Sequence, residues 1–216
     1  MGSYADDALF MSRNNIEYVE LISDDGKSKV MVIPAWQGRV MTTSAAGDEG
    51  DSYGWINYSF IKKRQIDLQF NPVGGEERFW LGPEGGVFSL YFRQGEKQIY
   101  KNWKVPPVLD IEAFKIQSQS KNCICLTKEG CLTNACGTTF YLNIKRTISL
   151  LDINEFAASF NLEFPKDIKA VAYKSDNQIT NIGNESWNKE TGLISVWMLS
   201  MFNPCLLYTS DAADEL

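Results

Sequence analysis

The sequence predicts an all-β fold with minor helices, arranged as a two-layer antiparallel sandwich. Short segments of alternating apolar and polar residues recur along the chain, and turn residues separate them. Only two stretches have a helical pattern, which is typical of a sandwich and not of an α/β fold. The length suits one such domain, and the 44% hydrophobic content is enough for a large core.

The first part of the chain predicts a helix followed by a β-meander. Asp6–Asn14 has helical character, and Glu17–Ile22 then alternates as a strand does. Asp24–Lys27 is a hairpin turn signal that leads into Lys29–Pro34 and a further strand, Arg39–Thr43. These elements predict one antiparallel sheet near the N-terminus.

The remaining elements are mostly further strands. A second helix is predicted over Ile153–Asn161, capped by Asp152 or Asn154, with Phe156, Phe160 and Leu162 facing inward. The other predicted strands are Tyr53–Tyr58, Phe79–Leu81, Val87–Phe92, Ala113–Ser118, Thr139–Leu150, Ile168–Asn177 and Leu193–Met201.

Composition excludes several classes of function. The formal net charge is −6 and no run is rich in Lys and Arg, whereas nucleic-acid binding needs a concentrated positive face. No apolar run approaches the ~18 residues that a membrane span needs. The start, Met1 to Asp7, lacks the basic and apolar parts of a secretory signal. As written, the chain is expected in the cytoplasm, whereas relatives that carry export signals would be periplasmic.

The last twelve residues, 205–216, are expected to be foreign to the domain. Cys205 to Glu215 match a translated reverse complement of a common transposase-type sequencing adapter, and such scars are excluded from fold reasoning. Without Asp211, Asp214 and Glu215 the net charge becomes −3 instead of −6. Residues 1–204 are therefore predicted to be the N-terminal part of a single domain, with the alternative that 205–216 is a natural acidic tail.

The four remaining cysteines lie close together in the sequence, at Cys123, Cys125, Cys131 and Cys136. Their spacing differs from the C-x-x-C pairs of structural zinc sites, so no metal site is predicted. Cys123 and Cys125 lie two apart in Ile116–Leu126, which is predicted to be a strand, and are expected on one side of a sheet as small core residues of a reduced protein. A disulfide to the next strand is the alternative.

The segment Gly74–Gly86 is the strongest candidate for a binding site. Two glycine pairs let a ligand approach the main chain, and between them lie three carboxylates, one guanidinium and one indole. Arg78 is a planar donor, Trp80 has an apolar face, and Glu76, Glu77 and Glu84 accept hydroxyl hydrogen bonds. This set suits a sugar. The alternative is a structural strand and turn with an internal Arg–Glu ion pair and a buried tryptophan. No phosphate-binding glycine motif is present, and no cofactor is predicted.

Three further residues are candidate sugar contacts. Arg39 follows Gly38 and points into a cleft in this interpretation, whereas an ion pair with Asp48 or Glu49 is the alternative. Trp55 and Asn57 would form a stacking face and an adjacent amide contact, although a tryptophan in an alternating strand is more often part of the core.

Several of these segments together resemble a bacterial family of unknown activity within the galactose mutarotase-like superfamily. The resemblance covers residues 4–204 in consistent order. It is carried by Trp36–Ala45, Gly47–Gly50, Ser52–Asn57, Gly74–Gly86, Ile179–Asn184 and Trp197–Pro204. It implies an aldose 1-epimerase-like sandwich with a sugar on its concave face, a small-molecule carbohydrate as partner, and further strands beyond Pro204. The domain formed by residues 1–204 would then be incomplete.

The resemblance does not supply a complete catalytic mechanism. Epimerases of the superfamily use a histidine as acid and a late glutamate as base, but this sequence has no histidine. A catalytic role would require a carboxylic acid of raised pKa, Glu76 or Glu77, as proton donor, with Arg78 or Arg39 orienting the sugar. Carbohydrate binding without catalysis and a purely structural sandwich are the alternatives.

Overall fold

The computed structural model describes residues 2–165 and 167–204, so the predicted adapter-derived segment 205–216 lies outside the described residues. The described chain is mostly antiparallel β-sheet with short helices, as the sequence predicts. The strands are β1 (Val19–Ile22), β2 (Lys29–Ile33), β3 (Arg39–Ser44), β4 (Arg78–Gly82), β5 (Lys115–Gln119), β6 (Cys123–Thr133), β7 (Thr139–Leu151), β8 (Ala172–Asn181) and β9 (Ser195–Leu199). The helices are α1 (Tyr4–Arg13), α2 (Tyr58–Lys62), α3 (Pro107–Asp110) and α4 (Ile153–Ser159).

The strands before residue 83 and β9 form a three-stranded sheet, β1-β2-β3, and a two-stranded sheet, β4-β9, which backbone hydrogen bonds join and which we together call the first sheet. β1, β2 and β3 pair in order, and the turn at Asp24–Lys27 joins the first two as predicted. An antiparallel bridge between Val40 and Glu77 links β3 to the start of β4, and β4 pairs with β9. The candidate segment therefore runs directly beside β3.

The strands between residues 115 and 181 form a second antiparallel sheet, in the order β5-β6-β7-β8. Its longest ladder joins β6 and β7 from Cys123–Ser149 to Thr133–Thr139. Side chains of β7 alternate between buried and more exposed, as expected when one face of a sheet is covered. The buried side of β7 includes Phe140, Ile144 and Ile148.

Two hydrophobic clusters lie on either side of β2 and β3. The larger cluster contains residues of both sheets, for example Val40 of β3, Phe79 of β4, and Leu126 and Ile144 of the second sheet. A smaller cluster beneath α1 and α2 contains Met31 and Met41 among others. Every residue of β2 and β3 is buried because both faces of these strands are covered.

Capping explains where the two longer helices begin. Ser3 accepts the amide of Asp6 while the Asp6 carboxylate accepts the Ser3 amide, so α1 starts two residues earlier than predicted. Asp152 caps α4 by accepting from the amides of Asn154 and Glu155, which confirms one of the two predicted caps. Among the described residues, no helix is long and apolar enough to cross a membrane.

Four predictions of local structure are wrong. Tyr53–Tyr58 contributes only isolated bridges at Gly54 and Ile56 before α2 begins, and Val87–Phe92 forms turns and bends whose aromatic residues pack without joining a sheet. The predicted strand Ile116–Leu126 is interrupted after Gln119 by a turn, which separates β5 from β6. Phe160 and Leu162 were expected inside but are 64% and 46% exposed.

The described cysteines are free thiols. Cys125 is buried and Cys123 is half-buried, and both lie on the side of β6 opposite the core-facing Ile124 and Leu126. Cys131 and Cys136 are exposed. Within residues 2–165 and 167–204, no group of three or more His, Cys, Asp or Glu residues is placed to hold a metal ion.

Candidate functional site

The glycines that open the candidate segment allow it to pack against β3. Gly74 and Gly75 have φ values of 93° and 116°, which favour glycine. A Cβ on Gly75 would lie 2.6 Å from Cδ of Arg39, and one on Gly74 would lie 2.3 Å from the carbonyl oxygen of Trp55. These glycines therefore serve close packing within the chain and not the approach of a ligand.

Glu77 forms an internal ion pair between the two sheets. Its Oε1 accepts a hydrogen bond of 2.7 Å from a terminal nitrogen of Arg146 on β7. Arg146 is fully buried and also donates to the carbonyl of Gly38 at 3.3 Å. A carboxylate held in this way is satisfied by its partner and is not free to transfer a proton. The structure thus separates the roles of the two candidate carboxylates.

Glu76 has a different environment. It is 3% exposed, and the hydroxyl of Thr43 lies 3.0 Å from each of its carboxylate oxygens. Burial raises the pKa of Glu76 from 4.5 to about 7, and the hydrogen bonds with Thr43 offset only part of this effect. Burial and the nearby Glu76 also raise the pKa of Tyr173. At neutral pH, Glu76 therefore exists in both protonation states while Tyr173 remains a hydroxyl donor.

Glu76 lies in the wall of an open groove between the two sheets, which we call the Glu76 groove. Its cavity volume is about 630 Å³. Besides Glu76, its lining includes Thr43, Tyr53, Phe156, Lys169, Tyr173 and Phe202. The groove combines five aromatic rings, including that of Phe164, with one carboxyl, one ammonium and several hydroxyl groups. This is the composition of a site for a ligand with both apolar and polar surfaces.

Arg78 and Trp80 lie in the packed interior. A terminal nitrogen of Arg78 donates to Asp110 Oδ1 at 2.9 Å and to the carbonyl of Leu109 at 3.0 Å. The guanidinium lies 3.9 Å from the centroid of the Trp80 ring, and the indole nitrogen donates to Glu84 Oε1 at 2.7 Å. Arg78 is 1% exposed and Trp80 is 2% exposed, so both side chains stabilise the interior and are not accessible to a ligand. They therefore match the structural alternative, an internal ion pair and a buried tryptophan, except that Arg78 pairs with Asp110 and not with a glutamate of Gly74–Gly86.

Trp80 also belongs to a stacked aromatic column. Its ring is parallel to Tyr91 at 5.5 Å between centroids, Tyr91 is parallel to Trp103 at 5.6 Å, and Trp103 stacks on Tyr100 at 6.2 Å. Arg78 is also close to Trp80. The column therefore connects a buried ion pair to the surface, where Tyr100 is 76% exposed.

The other candidate contacts do not line the Glu76 groove. Arg39 is 1% exposed and donates to the carbonyl of Gly74 at 2.6 Å. The predicted alternative partner, Asp48, instead pairs with Lys29 at 2.6 Å. Asn57 caps α2 by accepting the amide of Phe60. Trp55 is 37% exposed and lies outside the groove lining.

Several partners of the candidate residues were not predicted from the sequence. Asp110 accepts from Arg78 and from both the backbone and side-chain amides of Asn71. Arg146 and Tyr173 lie far along the chain from the carboxylates that they approach. The only available signal was that charged residues occur in otherwise apolar segments, since such residues need a buried partner.

Comparison with known proteins gives one match. A family described as a family of unknown function, DUF6786, matches residues 2–209. No curated protein and no solved structure matches the chain.

Proposed function

The chain belongs to DUF6786, a family of unknown function, and from that premise we propose that it binds a carbohydrate in the Glu76 groove. The observation that carries this proposal is the position of Glu76, a single buried carboxyl in the wall of an otherwise aromatic-rich groove. A sugar has hydroxyl groups at its edge and C–H patches on its faces. The groove offers a partner for each.

The aromatic residues supply the apolar part of recognition. Tyr53, Phe156 and Tyr173 are half-buried, and Phe202 is 56% exposed at the same groove. Rings that retain one free face are suited to stacking against the C–H patches of a sugar. Glu76 and the phenolic groups are then the hydrogen-bonding partners for its hydroxyl groups.

We also propose that the two sheets belong to a galactose mutarotase-like β-sandwich. Two features support this architecture: the strands of both sheets are antiparallel, and side chains of both sheets share the larger hydrophobic cluster. The Glu76 groove lies where β3 and β8 face one another, which is a suitable place for a ligand between two layers.

Catalysis of the aldose 1-epimerase type is a second proposal, and it depends on proton transfer by Glu76. A pKa of about 7 is suited to a group that gives and takes a proton at neutral pH. Glu77 is not the partner in this reaction because it is paired with Arg146. Tyr173 is the neighbouring hydroxyl and would accompany Glu76 at the sugar. Binding without catalysis needs only the groove itself.

A structural role is the competing interpretation for the Gly74–Gly86 segment. The burial of Arg78 and Trp80, with every close partner inside the chain, specifically favours it for those two residues. This interpretation does not account for a carboxyl in the wall of an open groove.

Calorimetric titration of the full chain with a panel of aldoses tests the proposal. Phe202→Ala removes an exposed ring of the groove, and Tyr141→Ala removes a similarly exposed ring outside it. We expect Phe202→Ala to weaken the aldose affinity about threefold to tenfold, the range for one aromatic contact, and Tyr141→Ala to leave it unchanged. Absence of heat with every aldose, or equal weakening by both variants, would refute carbohydrate binding in this groove.

Anomer exchange followed by NMR then tests the catalytic proposal. If Glu76 transfers the proton, the chain accelerates exchange of the bound aldose and Glu76→Gln abolishes the acceleration. If binding occurs while the exchange rate stays at its uncatalysed value, the chain is a binding module.

A further inference from the structure

A second cavity lies among α1, α2 and α3, and we call it the Asp110 cleft. Its volume is about 410 Å³, and its lining includes Asn14, Asn15, Trp36, Phe60, Arg64 and Asp110. It shares no lining residue with the Glu76 groove. The two cavities are therefore separate candidate sites.

The interior next to this cleft has an excess of positive charge. The bridge between Val40 and Glu77 makes Arg39 and Arg78 neighbours across two strands. Arg78 is paired with Asp110, but among the described residues no carboxylate lies within ion-pair distance of Arg39. A guanidinium stays charged at any ordinary pH. One buried positive charge is thus left without a counter-ion, which is a costly arrangement.

The uncompensated guanidinium is hydrogen-bonded to the segment that forms one wall of the cleft. Arg39 donates to the carbonyl of Gly74, and the adjacent residue Val73 lines the cleft. Arg39 Nε is buried and has no hydrogen-bond partner among the described residues. Arg64 adds a second positive charge to the lining itself. With Arg78 neutralised by Asp110, the field in the cleft favours an anion.

The remaining lining residues indicate what kind of anion fits. Trp36 and Phe60 supply aromatic surface, and Asn14, Asn15 and Gln65 supply amide groups for hydroxyl hydrogen bonds. We propose that the Asp110 cleft binds a small hydroxylated organic anion, with the chemistry of a sugar acid. This site is independent of the groove proposed above for a neutral sugar, since no residue lines both.

Two variants test the charge dependence. Arg64→Gln removes the positive charge of the lining and keeps a polar side chain. Arg39→Met removes the uncompensated guanidinium and keeps a long side chain. Because both changes make the cleft less positive, each is expected to weaken the affinity for D-glucuronate, by about tenfold for Arg39→Met. Lys121→Met, at an exposed position outside the cleft, is the matched charge control.

The measurement is isothermal titration of the full chain with D-glucuronate, D-glucose and butyrate, which separates charge from hydroxyl groups. We expect D-glucuronate to bind more tightly than either comparison compound and its affinity to fall as salt is raised. Failure of D-glucuronate to bind, equal affinity for D-glucose, or unchanged D-glucuronate affinity in both cleft variants would overturn the proposal. Phe202→Ala provides a further check, since it changes the Glu76 groove alone and is expected to leave D-glucuronate affinity unchanged.

Discussion

The protonation of Glu76 couples the stability of the fold to pH. A carboxyl whose pKa is higher in the folded chain than in the unfolded chain binds more protons when folded, so the free energy of unfolding falls as pH rises. For Glu76 the window lies between 4.5 and about 7. Over that interval the loss amounts to about 3 kcal/mol, at ~1.4 kcal/mol for each factor of ten. This loss of stability is complete above the pKa of Glu76 in the folded chain and absent below its pKa in the unfolded chain.

Glu76→Gln isolates this effect because glutamine retains the shape and an acceptor for Thr43 but does not ionise. We expect the variant and the wild type to have similar stability near pH 4.5, where Glu76 is protonated in the folded chain. Near pH 8 the variant is expected to be more stable by about 3 kcal/mol. Urea unfolding followed by tryptophan fluorescence at intervals from pH 4.5 to 8 measures the difference. Taking the difference also removes contributions from other titrating groups, such as Asp7, whose pKa burial raises.

A difference that stays constant across this pH range would refute the reasoning. It would mean that Glu76 ionises as readily in the folded chain as in the unfolded one. Its carboxyl would then be hydrated and not buried between the sheets. A wild type that gains stability relative to the variant as pH rises would also be inconsistent with burial, because it would require ionised Glu76 to be favoured by folding.

Two other substitutions test the interior. Asp110→Asn leaves Arg78 without its counter-ion and is expected to destabilise the chain by about 3–5 kcal/mol in urea unfolding. Lys121→Met, which breaks an exposed ion pair, should leave the unfolding midpoint unchanged. Equal midpoints for the two variants would show that the buried ion pair does not stabilise the fold. Gly75→Ala should lower the free energy of unfolding by more than about 1 kcal/mol because of its positive φ and the close side chain of Arg39. Gly85→Ala, where an added Cβ would meet only Gln98 Oε1 at 3.8 Å, serves as the control.

The strands that the sequence predicted well are those with local signals. β1 and β2 alternate around the turn at Asp24–Lys27, and β7 combines strong alternation with sufficient length. Val87–Phe92 has the apolar composition of a strand, but Tyr91 is buried by aromatic stacking and not by sheet pairing. Composition alone does not distinguish these two kinds of burial. Tyr53–Tyr58 failed for a similar reason, since Asn57 acts as a helix cap within the expected strand.

The candidate site was predictable only in part. Its unusual density of charged and glycine residues directed attention to Gly74–Gly86, and Glu76 does line a groove. The fate of each side chain depended on residues distant in sequence: Arg146 pairs with Glu77, and Asp110 pairs with Arg78. No local pattern encodes such pairings, because they arise when strands far apart in the chain are brought together by folding.

The aromatic column gives this protein an internal spectroscopic reporter. Parallel rings of Trp80, Tyr91 and Trp103 at less than 6 Å couple their electronic transitions, so near-ultraviolet circular dichroism will respond to their mutual orientation. Because Trp80 lies on β4 while Trp103 lies in a separate segment, the signal monitors the docking of one against the other. A state that keeps the far-ultraviolet spectrum of its strands but loses this band would retain secondary structure after its tertiary packing has loosened.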